Sequence, residues 1–190
     1  MKKIFTLIVL SLLAVAPAAA QGQRSATPLP GSVKHIVVKG HANLFLNSSK
    51  DSISRISSRK PEKLTYNYTP DNGGTLIIDS GAASLWIASF RALTIETHNY
   101  ASISIMPGDT LKAENMDILA RDYSKINITR PINSDTVKAY SHEHAFIAFD
   151  ALEGFEIDLS DQGFSHINID RRSLLIKHPK KERKKFLGIF

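Results

Sequence analysis

One thirteen-residue phrase, written four times between Leu93 and Ile169, limits what this chain can fold into more than any other feature. The copies are Leu93–Ile105, Met116–Ile128, Val137–Phe149 and Ile157–Ile169, with starts 23, 21 and 20 residues apart. They agree position by position. The first and third residues are apolar (Leu93 and Ile95, Met116 and Ile118, Val137 and Ala139, Ile157 and Leu159). So are the eleventh and thirteenth (Ile103 and Ile105, Ile126 and Ile128, Ile147 and Phe149, Ile167 and Ile169). The eighth is a ring, at Tyr100, Tyr123, His144 and Phe164, and the ninth is small, at Ala101, Ser124, Ala145 and Ser165. Apolar residues two apart mark a strand with one buried face. Each unit is therefore strand, corner, strand, loop.

A period of about 20 residues carrying two short strands predicts an all-β single-stranded β-helix, or β-solenoid, with coils stacked in parallel. Stacked strands lie about 4.8 Å apart, so equivalent residues would form ladders. The energetics favour repetition. One buried Ile or Leu contributes roughly 1.5–3 kcal/mol, whereas fixing one residue's backbone costs about 1–2 kcal/mol. A lone coil, with about five apolar side chains, cannot stabilise itself. An antiparallel β-sandwich is the alternative. The constant internal spacing speaks against it, as does the lack of Asn-Gly or Asp-Gly turns joining the phrases.

The rest of the chain divides around this block. Residues 1–20 form an expected signal peptide: Lys2 and Lys3, an apolar run from Ile4 to Ala16, and small residues at Ala18 and Ala20. Residues 21–32, with Gly22, Pro28, Pro30 and Gly31, are an expected flexible leader. The domain is expected over 33–176, with an N-terminal β cap at 33–79 and coils at 80–169, Ser80–Phe90 being a degenerate first coil. Within the cap, Pro70-Asp71-Asn72-Gly73-Gly74 is a turn, and Thr75–Asp79 pairs back on Lys63–Thr69. The chain has no cysteine, which excludes disulfides, thiolate metal sites and a lipid anchor on cysteine.

The start VKHIVVKGHANLFLN, the hairpin closing on GGTLIID and the Ile-x-Ile units together resemble the "putative auto-transporter adhesin, head GIN domain" family over Val33–Ile169. The resemblance implies a secreted or envelope-associated protein of a kind frequent in Bacteroidetes, folded as a right-handed single-stranded β-helix. It carries no catalytic set onto any residue here. Two positions depart from the pattern: His144 stands at the ring corner, and Phe146 stands where the other copies have Ser102, Lys125 and His166.

The net charge of +6 is concentrated at the ends. The basic tail, 177–190, holds six cations against Glu182, and the expected signal peptide holds Lys2 and Lys3, so 21–176 is near −1. The tail is expected to be a solvated, frayed end, with contact to anionic lipid or a cap over the last coil through Phe186, Leu187, Ile189 and Phe190 as the alternatives. An exported protein with a near-neutral body is not expected to bind nucleic acid.

Few residues suggest chemistry. His142 and His144 share a strand face and would both suit a metal, but His144 belongs to the ring position, so no metal or other cofactor is expected. Asp122, Glu143, Asp158 and Asp161 raise the possibility of a glycosidase or polysaccharide-lyase pair. Asp122 and Glu143 share position seven and would be neighbours, which raises a pKa or simply marks a solvated corner. Trp86, the one tryptophan, is either a sugar-stacking platform or packing beneath the cap, the latter being preferred. The outward face of the second strands stacks Ser102, Lys125, Phe146 and His166 beside Ser104, Asn127, Ala148 and Asn168. Of these, Lys125, Asn127, His166 and Asn168 are the candidate ligand-facing surface, against the plain alternative of a solvated sheet. The chain is therefore expected to be a non-enzymatic, adhesin-like module of the cell envelope or surface, with polysaccharide or another envelope component as partner. A β-helix carbohydrate enzyme and a structural assembly module are the alternatives.

Overall fold

The computed structural model describes residues 26–169 and 174–176. The expected signal peptide and the basic tail lie outside the described residues. Among the described residues sixteen strands appear in chain order. Near the start are β1 (Thr27–Pro28), β2 (His35–Val38), β3 (Asn43–Ser48), β4 (Arg55–Ser57) and β5 (Thr65–Thr69). Then come β6 (Thr75–Ser80), β7 (Ala82–Ile87), β8 (Ala92–Thr97), β9 (Ser102–Ile105) and β10 (Leu111–Ala120). The last are β11 (Lys125–Ile128), β12 (Ile132–His142), β13 (Phe146–Phe149), β14 (Leu152–Gln162), β15 (His166–Ile169) and β16 (Leu174–Ile176).

They assemble into two mixed sheets of eight strands each. The first sheet runs β1-β4-β7-β3-β9-β11-β13-β15, and the second β16-β14-β12-β10-β8-β2-β6-β5. The alternating apolar residues of both sheets meet in one core. Ile103, Ile105, Ile126, Ile128 and Ile147 come from the first sheet, and Ile36, Val38, Ile95, Met116 and Val137 from the second; all are buried. Alternation with period two therefore sets which face of each strand is dry.

This architecture corrects the expected single-stranded right-handed β-helix. The chain forms two large mixed sheets packed on one core, a sandwich or barrel-like β fold, and no closed solenoid. In a single-stranded helix each coil would lie on the one before it in sequence. Here the β2–β3 pair sits inside the stack, β2 between β6 and β8 and β3 between β7 and β9. Ser80–Phe90 is therefore not the coil beneath Leu93–Ile105, because β7 pairs with β3 and β4, never with β9. Both sheets also turn antiparallel at one end, through β1–β4–β7 and β5–β6. The period reported strand spacing correctly but could not report strand order, which depends on the edge to which the chain returns.

Within the repeats, pairing is parallel and in register. Ile126 lies opposite Ile103 and Ile147, and Ile118 opposite Ile95 and Ala139. The β2–β3 segment proves to be a fifth copy of the phrase: Ile36 pairs with Ile95, and Leu44 with Ile103. Its corner carries His41 as the ring and Ala42 as the small residue.

Corner chemistry explains the residue types. Position seven has positive φ in every copy: Gly40 69°, Asn99 53°, Asp122 56°, Glu143 62° and Gly163 74°. Gly, Asn and Asp adopt this left-handed conformation most readily, and four of the five copies use them. Position nine does more than save space. The Ser124 hydroxyl lies 2.8 Å from Thr97 Oγ1, and Ser165 Oγ donates to the Ser141 carbonyl at 2.9 Å. Thr97, Ser124 and Ser141 are buried, so these bonds satisfy polar groups that water does not reach.

Candidate functional site

Three surfaces carry the residues singled out in the sequence. The first is the ring corner. His41, Tyr100, Tyr123, His144 and Phe164 form a continuous column, with successive centroids 5.4, 5.3, 4.4 and 5.3 Å apart and planes within 23° of parallel. Its rings face solvent: Tyr100 is 60% exposed and Phe164 85%. Stacking at this spacing is a favourable aromatic geometry. His144 is part of this column, sandwiched between Tyr123 and Phe164, whereas the His142 imidazole lies 3.8 Å from a Glu143 carboxylate oxygen. Among the described residues no group of three or more His, Asp or Glu side chains is placed to hold a metal ion.

Beside the column, Asp122 and Glu143 meet as neighbours on adjacent corners. A hydrogen bond with Asp122, and then its negative charge, hold the Glu143 carboxyl above its ordinary value of 4.5; the nearby His142 and His144 pull the other way. The other two carboxylates do not join them. Asp158 accepts a hydrogen bond from the Tyr140 hydroxyl at 3.1 Å on the outer face of the second sheet, and Asp161 lies opposite Ser141. The four acids named from the sequence therefore do not converge: Asp122 and Glu143 meet at a corner, Asp158 lies on the outer face of the second sheet, and Asp161 is in register with the buried Ser141 on the opposite side of its strand.

The raised Glu143 has a consequence for stability. A carboxyl whose folded pKa exceeds its unfolded value favours the folded state below the unfolded pKa, and that contribution is lost as pH rises through the folded pKa. Glu143→Gln keeps the hydrogen-bonding shape and removes the titration. Its melting temperature is expected to exceed the wild type's at pH 7, with the gap closing as pH falls toward 4. Thermal melts of both proteins at several pH values check this, and a gap independent of pH would contradict it.

The second surface is the outer face of β9, β11, β13 and β15. Lys125, His166 and Asn168 are exposed there and Asn127 is half-buried. In-register pairing places Phe146 between Lys125 and His166, and Ala148 between Asn127 and Asn168. Lys125 Nζ lies 5.3 Å from the Phe146 ring centroid, and the Phe146 and His166 rings stack at 6.1 Å. A cation, two rings and two amides thus occupy a flat patch two residues wide.

The third surface lies on the same sheet, toward its other end, and sequence reasoning touched only one of its residues. Trp86 on β7 is half-buried and lines a groove of about 770 Å³ across the outer face of β7 and β3. Phe45, 42% exposed, and Asn43 and Asn47 share the floor. The segment from Ser58 to Lys63 makes one wall. It is fixed by Ser58 Oγ donating to the Ala82 carbonyl at 2.7 Å and by Ser80 Oγ donating to the Lys63 carbonyl at 3.3 Å. Gly81, at φ 88°, lets the β6–β7 corner approach this wall, since a Cβ there would stand 2.6 Å from the Lys63 carbonyl oxygen. The signal available in the sequence was Phe45, an outward residue of Asn-Leu-Phe-Leu-Asn, together with the basic run Arg59, Lys60 and Lys63.

No protein-family model matches the chain, and no curated protein matches it. Solved structures similar to it include two from Bacteroidetes-type sources. One, described as a "putative adhesin" from Bacteroides fragilis, has TM-score 0.39 and 11% identity, covering 76% of this chain and 96% of that one. The other, described as a "putative lipid binding protein" from Parabacteroides distasonis, has TM-score 0.34 and 12% identity, covering 80% of this chain and 98% of that one. Membership of the head GIN domain family is not shown by these likenesses, which are too distant to transfer a ligand or an activity.

Proposed function

We propose that this chain is a non-enzymatic, adhesin-like binding module of the cell envelope or surface, exported by its N-terminal segment, which holds a polymer against the outer face of its first sheet. The observation that carries this reading is the regular spacing of Lys125, Asn127, His166 and Asn168 with Phe146 among them. Parallel in-register strands repeat at about 4.8 Å, so polar and aromatic groups recur at fixed steps along the sheet. A repeating polymer meets such a surface at many points at once, and multipoint contact raises avidity without a deep pocket. The exposed ring column flanks the sheet at its corner and adds apolar contact area.

Retention on insoluble envelope and plant polysaccharides tests the reading. The wild type is expected to be retained, and the Lys125→Ala/His166→Ala double variant to elute with at least tenfold weaker apparent affinity. Assays for new reducing or unsaturated ends in the same incubations should stay at background. Appearance of such ends would replace this function with a carbohydrate-cleaving one, and unchanged retention of the double variant would remove the proposed face.

A further inference from the structure

The groove across β7 and β3 has a chemistry of its own. Arg59, Lys60 and Lys63 line it, no carboxylate does, and none of the three cations makes an ion pair among the described residues. A cleft lined by one sign of charge concentrates ligands of the opposite sign. Its floor offers the rings of Trp86 and Phe45 beside the amides of Asn43 and Asn47, an amphipathic mixture of apolar surface and hydrogen-bonding groups.

A second, independent observation points into the same groove. Ser57 lies opposite Ser84 and shares the outward side of its strand with Arg55, which lies opposite Trp86. It is only 4% exposed, and its hydroxyl has no hydrogen-bond partner among the described residues. Buried polar side chains nearly always have partners, and this hydroxyl, on a residue that lines the groove, is left for a ligand group or a water to satisfy.

We infer that this groove binds an acidic sugar unit, a pyranose ring bearing a carboxylate or sulfate. This deepens the proposed function by naming the chemical class of the polymer, and it rests on that reading of the sheet's outer face. The ring would lie against Trp86 and Phe45, its hydroxyls would meet Asn43, Asn47 and Ser57, and its anionic group would face the cationic wall. A free phosphate is far smaller than about 770 Å³. An acyl chain finds no apolar tunnel among the described residues, where Met106 is the only long aliphatic side chain in the lining.

Calorimetric titration with trigalacturonate, a trimer too short to reach from the groove floor on β3 to His166 and Asn168 on β15, four strand spacings or roughly 19 Å away, tests the inference. Its fully methyl-esterified form keeps the rings and removes the charge. The wild type is expected to bind trigalacturonate at least tenfold more tightly than the ester. Lys60→Ala/Lys63→Ala should lose at least tenfold, and Lys125→Ala/His166→Ala should stay within twofold. Ser57→Ala should bind severalfold more weakly, while its ligand-free melting temperature rises by about 2–5 °C as an unsatisfied buried hydroxyl is removed. The inference is overturned if trigalacturonate does not bind, if the ester binds equally, if the lysine pair is irrelevant, or if phosphatidylglycerol vesicles outcompete the trimer. Loss of trimer binding with polysaccharide retention intact would sink the groove and leave the outer face standing. Trimer binding with no retention of polymer would do the reverse.

Discussion

Ile126→Asp is expected to abolish the cooperative unfolding transition of this protein, while Asn127→Asp, one residue along, leaves it almost unchanged. Ile126 is fully buried between Ile103 and Ile147 on the inner face of the first sheet. Replacing it forfeits roughly 1.5–3 kcal/mol of apolar burial. It also places a carboxylate between Ile103 and Ile147 with no partner, at a cost of several kcal/mol after relaxation. Together these approach the roughly 5–15 kcal/mol that holds a typical domain folded. Asn127 points the other way, between Ser104 and Ala148, and a charge added there stays hydrated. Surface changes of that kind usually fall within about 0.5 kcal/mol. Urea titrations followed by circular dichroism decide the matter, and equal losses from both substitutions would mean that the strand faces are assigned the wrong way round.

Arg130→Met is expected to lower stability by about 2–4 kcal/mol, although it exchanges a charge for an apolar side chain of similar length. Arg130 is 6% exposed. Its Nε donates to the Met106 carbonyl at 2.7 Å, one terminal nitrogen donates to Ser48 Oγ at 2.7 Å, and the other to the Pro107 carbonyl at 3.4 Å. One guanidinium thus ties the loop after β9 to the end of β3. Burial pushes its pKa down and Asp109 pushes it back up; an arginine stays charged under such shifts. Swapping a whole buried ion pair for apolar residues can be neutral, but here the acceptors include backbone carbonyls, which cannot be swapped. They would be left without their donor. Arg121→Met, at an exposed position, is the control and should shift the urea midpoint little. Matching midpoints for the two variants would refute the role given to Arg130.

How much of this was legible in the sequence differs from element to element. The alternation of Ile103, Ile105, Ile126 and Ile128 with polar neighbours spelled out which faces are buried, because period two is a local property of any strand. The ring column was legible for the same reason: constant spacing puts Tyr100, Tyr123, His144 and Phe164 at one register. The fifth copy was hidden because Lys34 occupies its first position, where Leu93 stands in the next copy. Strand order was not legible at all. Nothing local to β6 and β7 says that they add to the far side of β2 and β3, since either edge offers similar backbone pairing. The groove depends on that order. Arg59, Lys60 and Lys63 reach Trp86 only because β4 pairs back on β7. The orphan hydroxyl of Ser57 is a matter of what surrounds it in space, and no pattern of residue types announces it. Of the candidate surface, Lys125, Asn127, His166 and Asn168 were placed together by the repeat, but Phe146, treated as a departure, proved to be the ring that links two of them.

The position of β2 and β3 also bears on how the molecule is made. Asn43 and Ser102 touch across 59 residues of chain, and β2 and β3 each have later-arriving segments on both sides. A ribosome therefore releases the central plank before either of its flanking planks exists. Closing such long loops is slow relative to local pairing, so acquisition of structure should wait until synthesis has passed Ile105. Until then the apolar edges of β2 and β3 stand open to neighbours, which gives holding chaperones a defined window in which to act.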